Sequence, residues 1–295
     1  MSSLRKVFSA LVTPMRSDES VDLGVLRELV ERQLSRGVEG FYCCGSSGEG
    51  LLLSHQERRD VVRTVVEQAA GRVPTIAHVG TIRTQDAIDL ARAAAADGVT
   101  AVSLIPPYYY HWTAAEVLGY YRAVVAAVQV PVVLYNIPQF TRISFDVSNV
   151  GDLFADPQVV GMKHTAHDLY TLERLVTQYP EKVFLNGFDE IYLSALAAGA
   201  TATVGTTVNF QPELFLRVRE RFVAGDLAEA RTIQTQINCA VEIAVRHGIF
   251  PAAKYLAGAP DLPTGDCRAP FRPLDADAKR ALEELRCRIV EFTAG

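Results

Sequence analysis

Residues 98–105, Gly-Val-Thr-Ala-Val-Ser-Leu-Ile, read as a helix end running straight into a strand. The glycine closes a segment of helical character, where a left-handed residue is needed. The run AVSLI (101–105) then has the short, continuously apolar character of a buried strand. The same junction returns at Gly37-Val38-Glu39-Gly40, ahead of GFYCC (40–44), and at Gly199-Ala200-Thr201, ahead of TATVG (201–205). Further runs of this kind are VFSALV (7–12), TIAHV (75–79), VVLYN (132–136), VVGMK (159–163) and VFLNG (183–187), each followed by a longer segment of helical period. Strands apolar at nearly every position suit a parallel sheet covered on both faces, linked by right-handed crossovers. Eight such units are the number that closes a barrel, and no GxGxxG turn follows an early strand to favour a doubly wound dinucleotide fold. The sequence therefore predicts an α/β fold, a (β/α)8 TIM barrel over residues 1–224. After it, AEARTIQTQINCAVEIAVRHG and DADAKRALEELRCRIVEF have helical apolar spacing and predict a C-terminal helical appendage, residues 225–295, packed on the barrel.

The 295 residues are 49% hydrophobic and 21% charged, enough for a large core and far from the composition of a disordered chain. A net charge of −5 with no Lys/Arg run gives no attraction to nucleic acid or anionic lipid. The N-terminal apolar stretch is too short, and too soon followed by Arg16, Asp18 and Glu19, for a signal peptide or a membrane span, so a cytoplasmic protein is expected. Cys43, Cys44, Cys239, Cys267 and Cys287 form no CxxC pair and are expected to be reduced structural thiols. The six histidines lack metal-ligand spacing, and no metal is assigned.

In such barrels chemistry sits at the carboxyl ends of the strands. Of only five lysines, Lys163 alone follows a strand-like run at that end; Lys6 and Lys182 precede strands, and Lys254 and Lys279 lie in helical context. A lysine buried in a barrel is driven towards the neutral amine, the form that attacks a ketone carbonyl. The alternative is an ammonium that reaches water or pairs with a carboxylate. Tyr135 ends the fifth strand and is placed to relay protons, or else to fill the core with its hydroxyl satisfied by backbone. The loop GSSGEG (45–50) offers Ser46, Ser47 and open backbone N–H groups to a carboxylate, although glycine and serine populate any tight turn. Asp189 and Glu190 after the seventh strand, and Thr206 and Thr207 after the eighth, could bind a polyol. For Asp189, capping the next helix is the simpler expectation.

Together GSSGEG, YNIP and GMKHT, in this order and on these strands, resemble the pyruvate-dependent aldolase family of N-acetylneuraminate lyase and dihydrodipicolinate synthase, over nearly the whole chain. The resemblance implies a Schiff base between Lys163 and pyruvate, proton transfer by Tyr135, and carboxylate binding by Ser46 and Ser47. It implies that Tyr109, within PPYYYHW, reaches a neighbouring subunit's site in a homotetramer built from tight dimers. KHTAHDLYTLERL and Asn186-Gly187-Phe188-Asp189-Glu190 resemble the lyase branch, and Phe140 stands where the synthase branch carries an arginine for a second carboxylate. That branch implies reversible cleavage of N-acetylneuraminate to pyruvate and N-acetylmannosamine without a cofactor. Thr165, Gly187, Asp189, Glu190 and Thr206 would contact the sugar-derived part. Sibling aldolases, dehydratases or synthases, and a non-catalytic 2-oxo acid-binding protein, are the other readings. Ser47 stands where the lyase pattern often has threonine, and Thr206 where it has serine; both keep a hydroxyl.

Overall fold

A computed structural model of the chain describes residues 2–294. Eight parallel strands, β1 (Val7–Ala10), β2 (Gly40–Cys43), β3 (Thr75–His78), β4 (Ala101–Leu104), β5 (Val132–Asn136), β6 (Val159–His164), β7 (Val183–Asn186) and β8 (Ala202–Gly205), pair in chain order, and β8 returns to β1 to close the barrel. Around it lie α1 (Leu23–Ser35), α2 (His55–Ala69), α3 (Thr84–Ala96), α4 (Ala114–Val125), the one-turn α5 (Pro138–Thr141) and α6 (Gly151–Phe154), α7 (Leu169–Gln178), α8 (Tyr192–Ala197) and α9 (Pro212–Val223). The chain continues through α10 (Leu227–Arg246), α11 (Ile249–Ala257) and α12 (Ala276–Ala294). The predicted barrel is thus present, and α11 is a helix that the periodicity did not separate from its neighbours.

Every residue of every strand is buried, as two covered faces require. Phe8, Tyr42, Ile76, Val133 and Leu185 point inward, while Val7, Phe41, Val102, Val132 and Met162 pack under the helices. Helix starts are fixed by local chemistry. Asp22, Asp168 and Asp226 cap α1, α7 and α10, and Ser54/Glu57 and Thr113/Glu116 form reciprocal capping boxes on α2 and α4. Gly37, Gly98 and Gly199 take φ of 84°, 89° and 98° ahead of β2, β4 and β8, the left-handed turns expected of them.

Helix α10 joins two cores: Ile233 and Ile237 pack into the barrel's helical shell, whereas Ala240 and Ala244 meet Ala252, Leu256, Leu282 and Leu285 from α11 and α12. We propose the junction of barrel and appendage at 224/225, where Gly225 (φ 79°) turns the chain out of α9. Among the described residues no helix is long and apolar enough to cross a membrane.

Candidate active site

The side chain of Lys163 faces the barrel interior because β6 carries one residue too many. Val132 of β5 pairs with Val159, but Val133 pairs with Gly161, leaving Val160 as a bulge. Val160 already packs inward, so strict alternation would turn residue 163 out towards the helices. The extra residue shifts the phase and sets Lys163 directly beside Tyr135 in register. Gly161 makes the bulge possible, since a Cβ there would lie 2.0 Å from the Val183 carbonyl oxygen.

Only 4% of Lys163 is exposed, and it takes part in no ion pair among the described residues. The ε-amine sits 4.1 Å from the ring centre of Tyr135 and 4.5 Å from that of Tyr42. Lys182, by contrast, donates to the Val159 carbonyl at 2.7 Å, and Lys254 pairs with Glu49 at 2.8 Å. Lys163 thus differs from both in lying between two aromatic rings, with no carbonyl or carboxylate partner among the described residues.

Tyr135 is held edge-on by Tyr42 (6.0 Å, 85°) and His78 (5.8 Å, 87°). The Tyr42 hydroxyl donates to Ser103 Oγ at 3.0 Å, and burial, reinforced by Tyr135, raises its pKa well above the usual phenol value. Burial first, then the charges of Arg58 and Lys163, keep His78 well below the usual imidazole value. A neutral His78 then donates from Nδ1 to the Cys44 carbonyl at 3.2 Å, leaving buried Nε2 without a protein partner.

The hydroxyls of the serine loop and of β8's end meet: Ser47 Oγ lies 2.7 Å from Thr206 Oγ1. Against the expectation from its position, Asp189 caps neither the 3-10 turn that it opens, Asp189–Ile191, nor α8 behind it. Its Oδ2 accepts the Thr207 N–H at 2.7 Å, tying the loop after β7 to the loop after β8. Its Oδ1 is buried and unpartnered, and burial raises its pKa to about 6, against the hydrogen bond from Thr207. Gly205 leaves it room, since a Cβ there would lie 2.3 Å from Oδ1. Thr165 Oγ1 is likewise buried without a partner, and a Cβ on Gly187 would come within 1.8 Å of it. Glu190 faces His167, Oε1 to Nε2 at 3.3 Å, while the His167 ring stacks on Phe188 at 4.5 Å.

Lys163, Tyr135, Ser46, Ser47, Thr165, Gly187, Asp189, Glu190 and Thr206 all line one cavity at the carboxyl end of the barrel. The unpartnered polar atoms on its walls are what a polyhydroxylated ligand would satisfy. Tyr109 stands apart. It is 81% exposed with φ 78°, on a surface cleft shared with Leu51 and Ile82. Sequence reasoning missed Tyr42 as a wall residue, because a strand buried on both faces carries no alternation to mark its inward side. It also missed Val241, Val245, Ile249 and Phe250, by which α10 and α11 close one side of the cavity. Of the cysteines, all unpaired, Cys43, Cys44 and Cys267 are buried, with Cys44 pushed up to about 11; Cys287 is exposed.

Residues 3–286 match the family described as the dihydrodipicolinate synthetase family. The chain belongs to that family. Within it, the chain is 39% identical over 281 residues to the N-acetylneuraminate lyase of Rhizobium meliloti (strain 1021), covering 95% of this chain and 94% of that one. It is 35% identical to the N-acetylneuraminate lyase of Citrobacter koseri, covering 96% and 95%. Among solved structures, the dihydrodipicolinate synthetase-family barrel superposes on a catalytic lysine mutant of the sialic acid aldolase of Ruminococcus gnavus with a TM-score of 0.96 (27% identity, 100% and 98% covered). It also superposes on CdNal of Clostridium difficile in complex with mannosamine with a TM-score of 0.94 (26% identity, 96% and 98% covered).

Proposed function

We propose that the protein is a Schiff-base aldolase that reversibly cleaves N-acetylneuraminate to pyruvate and N-acetylmannosamine. The observation that carries the reading is the buried, unpaired amine of Lys163 beside Tyr135, on the floor of a cavity whose walls hold unpartnered polar atoms. The N-acetylneuraminate lyases that resemble the chain along nearly its full length support the same substrate. In this mechanism Lys163 attacks the C2 ketone of the open-chain sugar acid, and loss of water gives a protonated imine. Tyr135 relays the proton away from the C4 hydroxyl; the C3–C4 bond breaks, its electron pair passes into the imine, and the aldehyde leaves. The pyruvate enamine takes a proton at C3, and water releases pyruvate from the lysine. Ser46 and Ser47 hold the carboxylate, fixing the reacting carbons near the phenol. Thr165, Gly187, Asp189, Glu190 and Thr206 bind the sugar-derived part.

The lyase reading is favoured over a synthase by the rim. Phe140, 61% exposed, lines the cavity, while Arg142 is exposed at φ 59° and outside the lining, so no bidentate anchor for a second carboxylate stands there. Pyruvate release from N-acetylneuraminate, measured beside other 2-oxo-3-deoxy sugar acids, tests the assignment. Fastest turnover of N-acetylneuraminate is the expected result, and a stronger preference for another acid would reassign the substrate.

The reading extends to a homotetramer in which Tyr109 reaches a neighbouring copy. Its exposure beside Tyr110, Leu51 and Ile82 supports this, because a contiguous aromatic and aliphatic patch is what association covers. Light scattering that returns a monomer would contradict it. Five unpaired cysteines support a reducing compartment, the cytoplasm, as the site of action.

A further inference from the structure

Behind the cavity wall lies an ion pair sealed at both ends: the side chains of Lys254 and Glu49 are fully buried. The Arg268–Glu57 pair, by comparison, leaves 16% and 27% exposed. From α11, Lys254 Nζ donates to Glu49 Oε1 at 2.8 Å and to the Asp266 carbonyl at 2.8 Å. The other carboxylate oxygen of Glu49 accepts the Arg268 N–H at 2.7 Å. Thr264 clips the arrangement to the barrel, its hydroxyl donating to the Lys254 carbonyl at 2.6 Å and its own carbonyl accepting the Met15 N–H at 3.0 Å.

Both ends of this pair continue into the cavity. Glu49 lies two residues beyond Ser47 in a loop closed on itself, with the Gly50 N–H donating to the Gly45 carbonyl at 3.1 Å. The closure is tight, since a Cβ on Gly50 would come 1.8 Å from the Cys44 carbonyl oxygen. Lys254 lies one turn beyond Ile249 and Phe250, which form part of the opposite wall. A buried ion pair is a poor source of stability, because apolar side chains of similar size often serve as well. What it supplies is direction: each hydrogen bond fixes where a partner atom can stand.

We infer that Glu49 and Lys254 are positioning residues that hold the Ser46–Ser47 cradle and the α11 wall in one register, and thereby set the affinity of the site for the carboxylate of a 2-oxo acid. The inference rests on the Schiff-base reading above. It is tested with the double variant Glu49→Gln/Lys254→Met, which removes both charges and keeps volume, and lets the glutamine amide use the freed Asp266 carbonyl. Borohydride trapping of pyruvate is followed against pyruvate concentration in the full-length protein. The expected result is a half-saturating concentration raised about tenfold, with the limiting trapping rate within about twofold of the unaltered protein and Tm within about 5 °C. A general loss of stability would not produce that split. Should the double variant not fold, Thr264→Val removes only the clip on α11 and must raise half-saturation by about threefold. An unchanged half-saturation in a folded variant overturns the positioning role and leaves the Schiff-base reading standing. Absence of any adduct in the unaltered protein overturns both.

Discussion

The floor and the rim of the cavity are built by different means. The floor is made from adjacent strands: Tyr135 and Lys163 are neighbours in the β5–β6 register, locked by the bulge at Val160 and by the edge-on rings of Tyr42 and His78. The rim comes from distant parts of the chain, namely the loops after β7 and β8 and the helices α10 and α11, which meet only when the barrel is complete. The difference teaches where chemistry and selectivity are set. A floor held by backbone register admits little variation, whereas a rim held by side-chain packing can change without disturbing the reacting groups.

That contrast breaks if floor substitutions act on binding alone, or rim substitutions on the chemical step. The largest effect is expected at Lys163→Ala, with cleavage of N-acetylneuraminate lowered about 10⁴-fold or more because no other group forms the imine. Retention of normal cleavage would remove the mechanism. Tyr135→Phe is expected to lower kcat about 10²- to 10³-fold with the fold intact, measured as pyruvate release under saturating sugar acid.

Asp189, between floor and rim, is predicted to be read through pH. Burial raises its folded pKa to about 6 from the ordinary aspartate value of 3.8, so between these values the folded state holds a proton that the unfolded chain has lost. Stability then falls as pH rises through this window, by about 3 kcal/mol in all. Asp189→Asn should remove that fall, so that urea unfolding of the two proteins diverges between pH 4 and pH 7; parallel curves would contradict it. The smallest effect belongs to Phe250→Ala on the rim. KM for the sugar acid is expected to rise by up to about tenfold, with borohydride trapping of pyruvate unchanged.

The barrel was legible because its signals are local. Glycines at 37, 98 and 199 end helices, eight continuously apolar runs alternate with helical ones, and each cue needs only a few residues of context. Lys163 was legible for the same reason, as the single lysine at the carboxyl end of a strand. Its inward direction was not, since it depends on the pairing of Val133 with Gly161 across two strands. Nor was the true partner of Asp189, because Thr207 lies 18 residues away and the acidic residue also matched a helix start. Val241, Val245, Ile249 and Phe250 read as one side of amphipathic helices, and nothing in their period says whether an apolar side chain meets a core or a ligand.

The most direct test of the account is borohydride reduction of the unaltered protein in the presence of pyruvate, with intact-mass analysis and peptide mapping. A single 1-carboxyethyl group, the reduced pyruvate imine, on the peptide that contains Lys163, absent from Lys163→Ala, is the predicted result. No adduct under conditions that trap a known Schiff-base aldolase, or an adduct confined to Lys6, Lys182, Lys254 or Lys279, would contradict it.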